Sequence, residues 1–266
     1  MGTGLESFLA LLCYAFPLGL IGSYLIAVYW SNQKYKKWPV TRIAFWIIGV
    51  FSVFLGVMGP IAEKAHASFQ AHMLTHLLLG MLGPLLLVLA APVTLLLRNV
   101  SVENGRLISK LLRSFYVQWI THPLMTIFLN AGGLWLLYTT NLYSAMHSFI
   151  WLFVVVHIHV FLAGYVFTLS MIYIEPTPHR TSFRLRAIAL IAAMAAHGIL
   201  SKWIYANPPA GVDAMDAQQG GMLMYYGGDM IDLIIVILLC YQQFRSNRQA
   251  VGNSVYSPAL GNEVRE

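Results

Sequence analysis

His72 and His76 stand four residues apart at the head of an apolar run, so both imidazoles fall on one face of a helix. From Leu77 to Leu97 the run carries no charged residue, and it ends at Arg98. Ionisable side chains inside a membrane span are costly to desolvate and mark functional sites by default. His157, His159, His197, Asp229 and Asp232 also lie within apolar segments. Three chemistries are open to such a set: metal ligation, haem ligation and proton relay. Imidazole with carboxylate suits zinc, iron or copper(II), and an added thioether favours copper(I). Met73, Met222, Met224 and Met230 lie close in sequence to the polar positions, although a methionine in an apolar helix is ordinarily core filler.

Spacing sorts these residues further. His157 and His159 lie about 200° apart around a helix, so only one faces a given cavity. His157 shares a face with Gly164 and is taken as the inward one, whereas His159 is expected to bond a carbonyl or hydroxyl on another helix. Met222, Tyr225, Asp229 and Asp232 form one stripe, and two carboxylates three residues apart are poorly suited to face lipid. At about 1.5 Å per residue, His76 falls roughly 6–9 Å from the outer end of its segment, His197 about 14 Å, Asp229 about 16 Å and His157 about 20 Å. Pro84, with Gly80 and Gly83 beside it, predicts a kink just below His76.

These positions need a helical bundle in lipid to hold them. The chain of 266 residues is 58% hydrophobic and only 10% charged, with a mean hydropathy of +0.68, which is the composition of a polytopic membrane protein. Stretches long enough to span run over 8–30, 42–59, 71–97, 118–138, 145–173, 185–206 and 218–244, given about 20 residues per crossing. The expectation is an all-α protein of seven transmembrane helices forming one domain over 1–244. Lys34 to Arg42, Arg98 to Arg113, Arg180 to Arg186 and Arg245 to Arg248 fall in alternate connections, so the positive-inside rule places them in the cytoplasm and the N-terminus outside. The net charge of +6 is thus topological and excludes nucleic acid as a partner. Residues 245–266 read as a disordered cytoplasmic tail.

Other segments carry less chemistry. Met1 to Ser7 has no basic residue, so the first segment reads as an anchor rather than a cleaved signal. Cys13 and Cys240 fall on opposite leaflets and cannot pair. Val102 to Phe115 alternates Leu107, Ile108, Leu111 and Leu112 with Arg106, Lys110 and Arg113, the pattern of a helix lying in the interface. Thr121-His122-Pro123 reads as a helix start with Thr121 as cap. A phosphate loop, a dinucleotide fingerprint and a nucleophile elbow are missing from the sequence.

Four runs carry a family resemblance: His72-Met73-Leu74-Thr75-His76-Leu77-Leu78-Leu79, Ala91-Pro92-Val93-Thr94-Leu95-Leu96-Leu97-Arg98, Thr121-His122-Pro123-Leu124, and Gln218-Gln219-Gly220-Gly221 through Met224-Tyr225-Tyr226-Gly227-Gly228-Asp229. They resemble the multi-pass CtaG family of assembly factors for caa-type cytochrome c oxidases, over most of the chain from Ile61 to Arg245. The resemblance implies a non-enzymatic factor of the bacterial cell membrane that takes part in copper delivery, with oxidase subunits and membrane lipid as partners. His72 and His76 match the family's paired histidines, His157 the histidine of its fifth helix, and His197-Gly198 a His with a nearby Gly in its sixth. Ala217 stands before Gln218-Gln219 where the family carries aspartate, and Asp216 is displaced by one.

The expectation drawn from both sources is an outward-opening copper site. His72 and His76 capture the ion at the mouth, His157 and His197 hold it deeper, and Asp229 with Asp232 balance charge or orient an imidazole. The rivals are a b-type haem cytochrome using two of His76, His157 and His197, a metal-ion or proton transporter, and a metal-free assembly scaffold.

Overall fold

The computed structural model describes residues 2–256, with side chains over 15–249. Every regular element among them is helical: α1 (Gly2–Lys34), α2 (Val40–Val57), α3 (Pro60–Ala65), α4 (Phe69–Leu77), α5 (Gly83–Ala90), α6 (Pro92–Asn99), α7 (Val102–Leu112), α8 (Phe115–Ile120), α9 (Pro123–Ile127), α10 (Gly133–Thr139), α11 (Leu142–Ser148), α12 (Ile150–Met171), α13 (Phe183–Ala206) and α14 (Ala214–Tyr256). Two single π-helical turns, Leu78–Leu82 and Phe128–Gly132, join α4 to α5 and α9 to α10. Five helical stretches are long and apolar enough to cross a membrane: Val40–Ala65, Phe69–Asn99, Ile150–Met171, Phe183–Ala206 and Ala214–Gln249. The apolar run Pro123–Thr139 is shorter, and α1 extends over 33 residues.

The first π turn resolves the conflict that Pro84 creates. Proline has no amide to give the carbonyl of Gly80, and its ring would crowd that carbonyl in a regular helix. The chain widens instead, with Gly83 N–H donating to Leu78 C=O, and Pro84 enters the first turn of α5 as if at a fresh start. The Gly80 carbonyl then faces Gly164 of α12, where a Cβ would collide with it. Such close backbone approach is how helices pack in lipid, where burial of apolar surface drives little. At the second π turn the widened backbone presents the Leu129 carbonyl, which accepts from His159 Nε2 at 3.0 Å. That is the packing role the sequence assigns to His159.

The span that begins at α4 breaks again at Ala91, whose φ of 56° is left-handed. Glu175, buried in the loop after α12, closes the break. Its carboxylate accepts from Val93 N at 2.7 Å, Thr94 N at 2.9 Å and Thr94 Oγ1 at 2.6 Å, capping α6. Burial pushes the Glu175 carboxyl up from its usual range while these donors pull it down. Tyr24 Oη donates to Ala90 C=O at 2.7 Å and accepts from Trp38 Nε1 at 3.0 Å, fixing α1 to the same corner. The Ala-Pro-Val-Thr run is therefore a structural joint.

The bundle has two distinct ends. At one, the basic connections meet: Arg98 Nη1 donates to Lys36 C=O, His179 Nε2 approaches Arg113 C=O at 3.2 Å, and Gln242 Oε1 accepts from Tyr173 N. At the other, Asp216 meets the start of α4, and His66 meets His147. Two apolar layers separate them. Phe69, Met73, Leu134, Tyr138, Met146, Leu200 and Met224 pack near the histidine end, and Leu85, Val88, Phe167, Met171, Leu190 and Ile235 pack toward the basic end.

Several expectations change. The apolar run 145–173 is interrupted at Phe149, so α12 starts at Ile150 and His157 sits about two turns in. His122, rather than Thr121, occupies the cap position before Pro123, because Thr121 Oγ1 turns back to Val117 C=O at 2.7 Å. The last helix continues through residues 245–256, and residues 257–266 of the expected tail lie outside the described residues. α7 forms as expected and leaves Leu107 and Leu111 exposed. Cys240 is an exposed free thiol, and the Cys13 side chain lies outside the described residues.

Candidate functional site: a buried histidine array

α4 carries His72 and His76 on one face, each 5% exposed. Its first turn is held from two sides. Ser68 is the cap residue, and Asp216 of α14 accepts from Phe69 N at 2.6 Å, Gln70 N at 3.0 Å and Ser68 Oγ at 3.1 Å. A carboxylate there meets the free amides and the positive end of the helix dipole. Asp216 thus fixes the register and orientation of both histidines, a role that its displacement by one residue conceals in the sequence.

His72 Nε2 lies 3.1 Å from Tyr138 Oη. Its ring is 6.4 Å from that of His157 and 6.2 Å from that of His147, centroid to centroid. His66 lies 6.2 Å from His147. Two of these imidazoles have a fixed tautomer. Phe153 C=O, at 2.8 Å from His157 Nδ1, can only accept, as can Tyr143 C=O at 3.0 Å from His147 Nδ1. Both Nδ1 atoms therefore carry the proton, which leaves each Nε2 as a lone-pair donor. A carbonyl behind a ligating imidazole is the usual orienting arrangement at metal sites.

One turn further along α4, His76 faces His197 of α13, with centroids 6.0 Å apart and ring planes within 27°. Both ring nitrogens of His76, Nε2 of His197 and Oγ1 of Thr75 are buried without a hydrogen-bond partner. Two glycines make room for the rings. A Cβ at Gly80 would come within 3.3 Å of His76 Nδ1, and one at Gly228 would overlap the His197 ring.

Three small cavities lie among these groups, the first two sharing His72, Thr75 and His157. One of about 10 Å³ is bounded by His66, His72, Thr75, His147 and His157. A second of about 10 Å³ is bounded by His72, Thr75, His76, Tyr138 and His157. The third, about 30 Å³, takes in Gly80, Asn130, Thr168, His197 and Asp232, so both π turns contribute to its wall. π turns of this kind are frequent at functional sites.

The structure therefore brings together four of the six expected site residues in pairs, His72 with His157 and His76 with His197, and places Asp232 with His197 on the wall of the third cavity. Asp229 is half-buried and lies off the lining of the inner cavity. Of the methionines considered as soft ligands, Met73 and Met224 pack in the apolar core, while Met222 and Met230 are exposed. Among the described residues, no three His, Cys, Asp or Glu side chains stand arranged to hold an ion together. Sequence reasoning missed His147, gave His66 no role, and overlooked Tyr138 and Thr75. An available signal was that His66 and His147 fall at the same end as His72.

A helical membrane protein with a buried, partly unsatisfied histidine array is the class these features define. The family model for the cytochrome c oxidase caa3 assembly factor matches residues 22–246, and the chain belongs to that family. An uncharacterised protein of Mycobacterium leprae is 28% identical over 236 residues, covering 80% of this chain and 36% of its own length. Uncharacterised proteins of Mycobacterium bovis and Mycobacterium tuberculosis are each 31% identical over 173 residues, covering 62% of this chain and 26% of their own length. The chain thus spans about a third of the curated relatives it matches, or less. No solved structure matches it.

Proposed function

We propose that this protein is a non-enzymatic assembly factor of the bacterial cell membrane that carries copper as cargo to a haem–copper cytochrome c oxidase. His72, His76, His157 and His197 hold the ion in succession, and Asp232 with Asp229 offsets its charge. One observation carries this reading: His76 and His197 face each other with three buried ring nitrogens unpartnered. Each unmade hydrogen bond of that kind costs about 1–3 kcal/mol; on each neutral ring one nitrogen carries the proton and the other a lone pair, and a cation between the rings would use that one lone pair from each. Two imidazoles that share an ion through bonds of about 2 Å have centroids roughly 5–6.5 Å apart, which the pair matches.

Seven spans belong to the same reading, with α1 and Pro123–Thr139 added to the five long stretches. The basic end then faces the cytoplasm and the histidine end the outside. Cavities of about 10 and 30 Å³ beside the histidines suit an ion and water, and their size weighs against a haem macrocycle between them.

The test uses detergent-purified protein loaded with Cu(I), analysed for metal and by its reduced-minus-oxidised visible spectrum. Near-stoichiometric copper without a haem band is expected. His76→Ala should lower both bound copper and cellular oxidase activity while the protein stays in the membrane. Unchanged copper occupancy with normal oxidase would overturn the proposal.

A further inference from the structure

His66 and His147 lie outside every long apolar span, and nothing in the family resemblance gives them a role. His66 caps the end of α3 and His147 sits in the last turn of α11, both exposed at the histidine end of the bundle. They bound the same small cavity as His72 and His157.

We infer that His66, His72, His147 and His157 form a second, outer copper(I) station, distinct from the His76–His197 pair. The inference rests on the copper reading and deepens it. Three independent features point to a ligand. First, the ring separations of 6.2 Å for His66–His147, 6.2 Å for His72–His147 and 6.4 Å for His72–His157 form an unbroken chain at the spacing of imidazole pairs that share an ion. Second, His147 and His157 both hold Nδ1–H against a backbone carbonyl, which leaves Nε2 as the ligating atom of each. Third, Thr75 is 3% exposed, its Oγ1 has no partner, and it borders both this cavity and the next.

The preference of the site for a monovalent ion follows from its charge. No carboxylate or thiolate bounds the cavity, so it adds no negative charge to offset a divalent ion. Neutral imidazoles suit a monovalent d10 cation, which accepts two or three ligands. Among the described residues no three acidic, thiol or imidazole groups converge on one point, so the station holds its ion between two rings at a time. His72 and His157 also border the cavity that contains His76. An ion captured by the exposed pair therefore reaches the buried pair by exchanging one imidazole at a time, and no bare ion crosses apolar surface.

The experiment titrates the full-length protein in detergent with Cu(I) against a chromogenic Cu(I) chelator. The wild type is compared with His66→Ala/His147→Ala and with His76→Ala/His197→Ala. The expected result is two equivalents in the wild type, an outer equivalent at least tenfold weaker in His66→Ala/His147→Ala, where only the His72–His157 pair remains, and one equivalent in His76→Ala/His197→Ala, with X-ray absorption reporting nitrogen ligands throughout. If the first variant keeps wild-type stoichiometry and affinity while the second loses copper, the outer station is overturned and the copper reading stands. Wild-type protein that takes up no Cu(I) overturns both. Should the first variant fold poorly, diethyl pyrocarbonate modification of the wild type decides. Cu(I) should protect His66 and His147 from the reagent, and equal modification with and without Cu(I) would reject the station.

Discussion

Gly228 lies so close beneath the His197 ring that a Cβ at this position would overlap the imidazole Cε1. The inner pair depends on that gap, because α14 would otherwise push His197 off the line to His76. Gly228→Ala should destabilise the protein by about 1–3 kcal/mol through overpacking and weaken copper retention at the inner pair. Gly105→Ala is the control, since its nearest neighbour would be Val100 Cγ2 at 3.9 Å. Thermal unfolding in detergent and a chelator competition measure the two effects. Equal behaviour of both variants would refute the role given to Gly228.

Asp216 governs the outer half of the array through the first turn of α4. Asp216→Ala removes the acceptor for two amides and the Ser68 hydroxyl and should cost about 1–2 kcal/mol, the range of a lost helix cap. Asp216→Asn keeps one carbonyl oxygen without the charge and should cost less. Denaturation of the detergent-solubilised variants checks the order. An Asp216→Ala protein as stable as the wild type would remove Asp216 from the list of positioning residues.

Much of this arrangement was legible in residue spacing. The four-residue interval put His72 and His76 on one face, and the two-residue interval correctly sent His159 to the opposite side of α12, against the Leu129 carbonyl. Depth was not legible for His157. An apolar run gives no sign of where a helix starts within it, and the extended backbone at Phe149 moved the start from 145 to 150, bringing His157 level with His72 instead of about 20 Å down. Pro84 with Gly80 and Gly83 marked the place of the first π turn but not its form, and the second had no proline to mark it; in runs apolar on every face, the phase shift of one extra residue leaves no trace in the sequence. His66 escaped notice because it belongs to a connection, and His147 because it stands two residues inside the stretch 145–173, where the break at Phe149 that sets it at the histidine end leaves no mark in the sequence. The Ala91 to Arg98 run carried family identity, but its physical meaning came only with Glu175, which is distant in sequence and has no motif around it.

The Glu175 joint makes a prediction of its own. Glu175→Gln would turn an amide NH2 toward Val93 N–H or Thr94 N–H, leaving one buried donor without an acceptor. Thr94→Val removes the 2.6 Å hydroxyl bond to the same carboxylate. Because the two changes touch one interaction, the double variant should be more stable than the sum of the singles implies, with a coupling of about 0.5–3 kcal/mol. Additive losses in a double-mutant cycle would show that Glu175 and Thr94 act separately.

The proposed topology is most exposed to test at Pro123–Thr139. At about 1.5 Å per residue this stretch is roughly 25 Å long, slightly under the hydrocarbon thickness of about 30 Å. It is nevertheless packed at depth, with the Leu129 carbonyl bonded to His159 of α12 and Trp135 Nε1 donating to Ala196 C=O of α13 at 3.1 Å. Single cysteines at exposed positions, in a chain with Cys13 and Cys240 replaced, distinguish the alternatives by labelling with a membrane-impermeant maleimide. If the stretch crosses, Asn141→Cys and Asn207→Cys label in intact cells, whereas Lys110→Cys and Arg180→Cys label only after permeabilisation. If it does not cross, Asn141→Cys labels together with Lys110→Cys, and His147, six residues beyond Asn141, could not reach the outer face with His72. The same labelling pattern therefore decides both the span count and whether the outer histidines are open to the side from which copper must arrive.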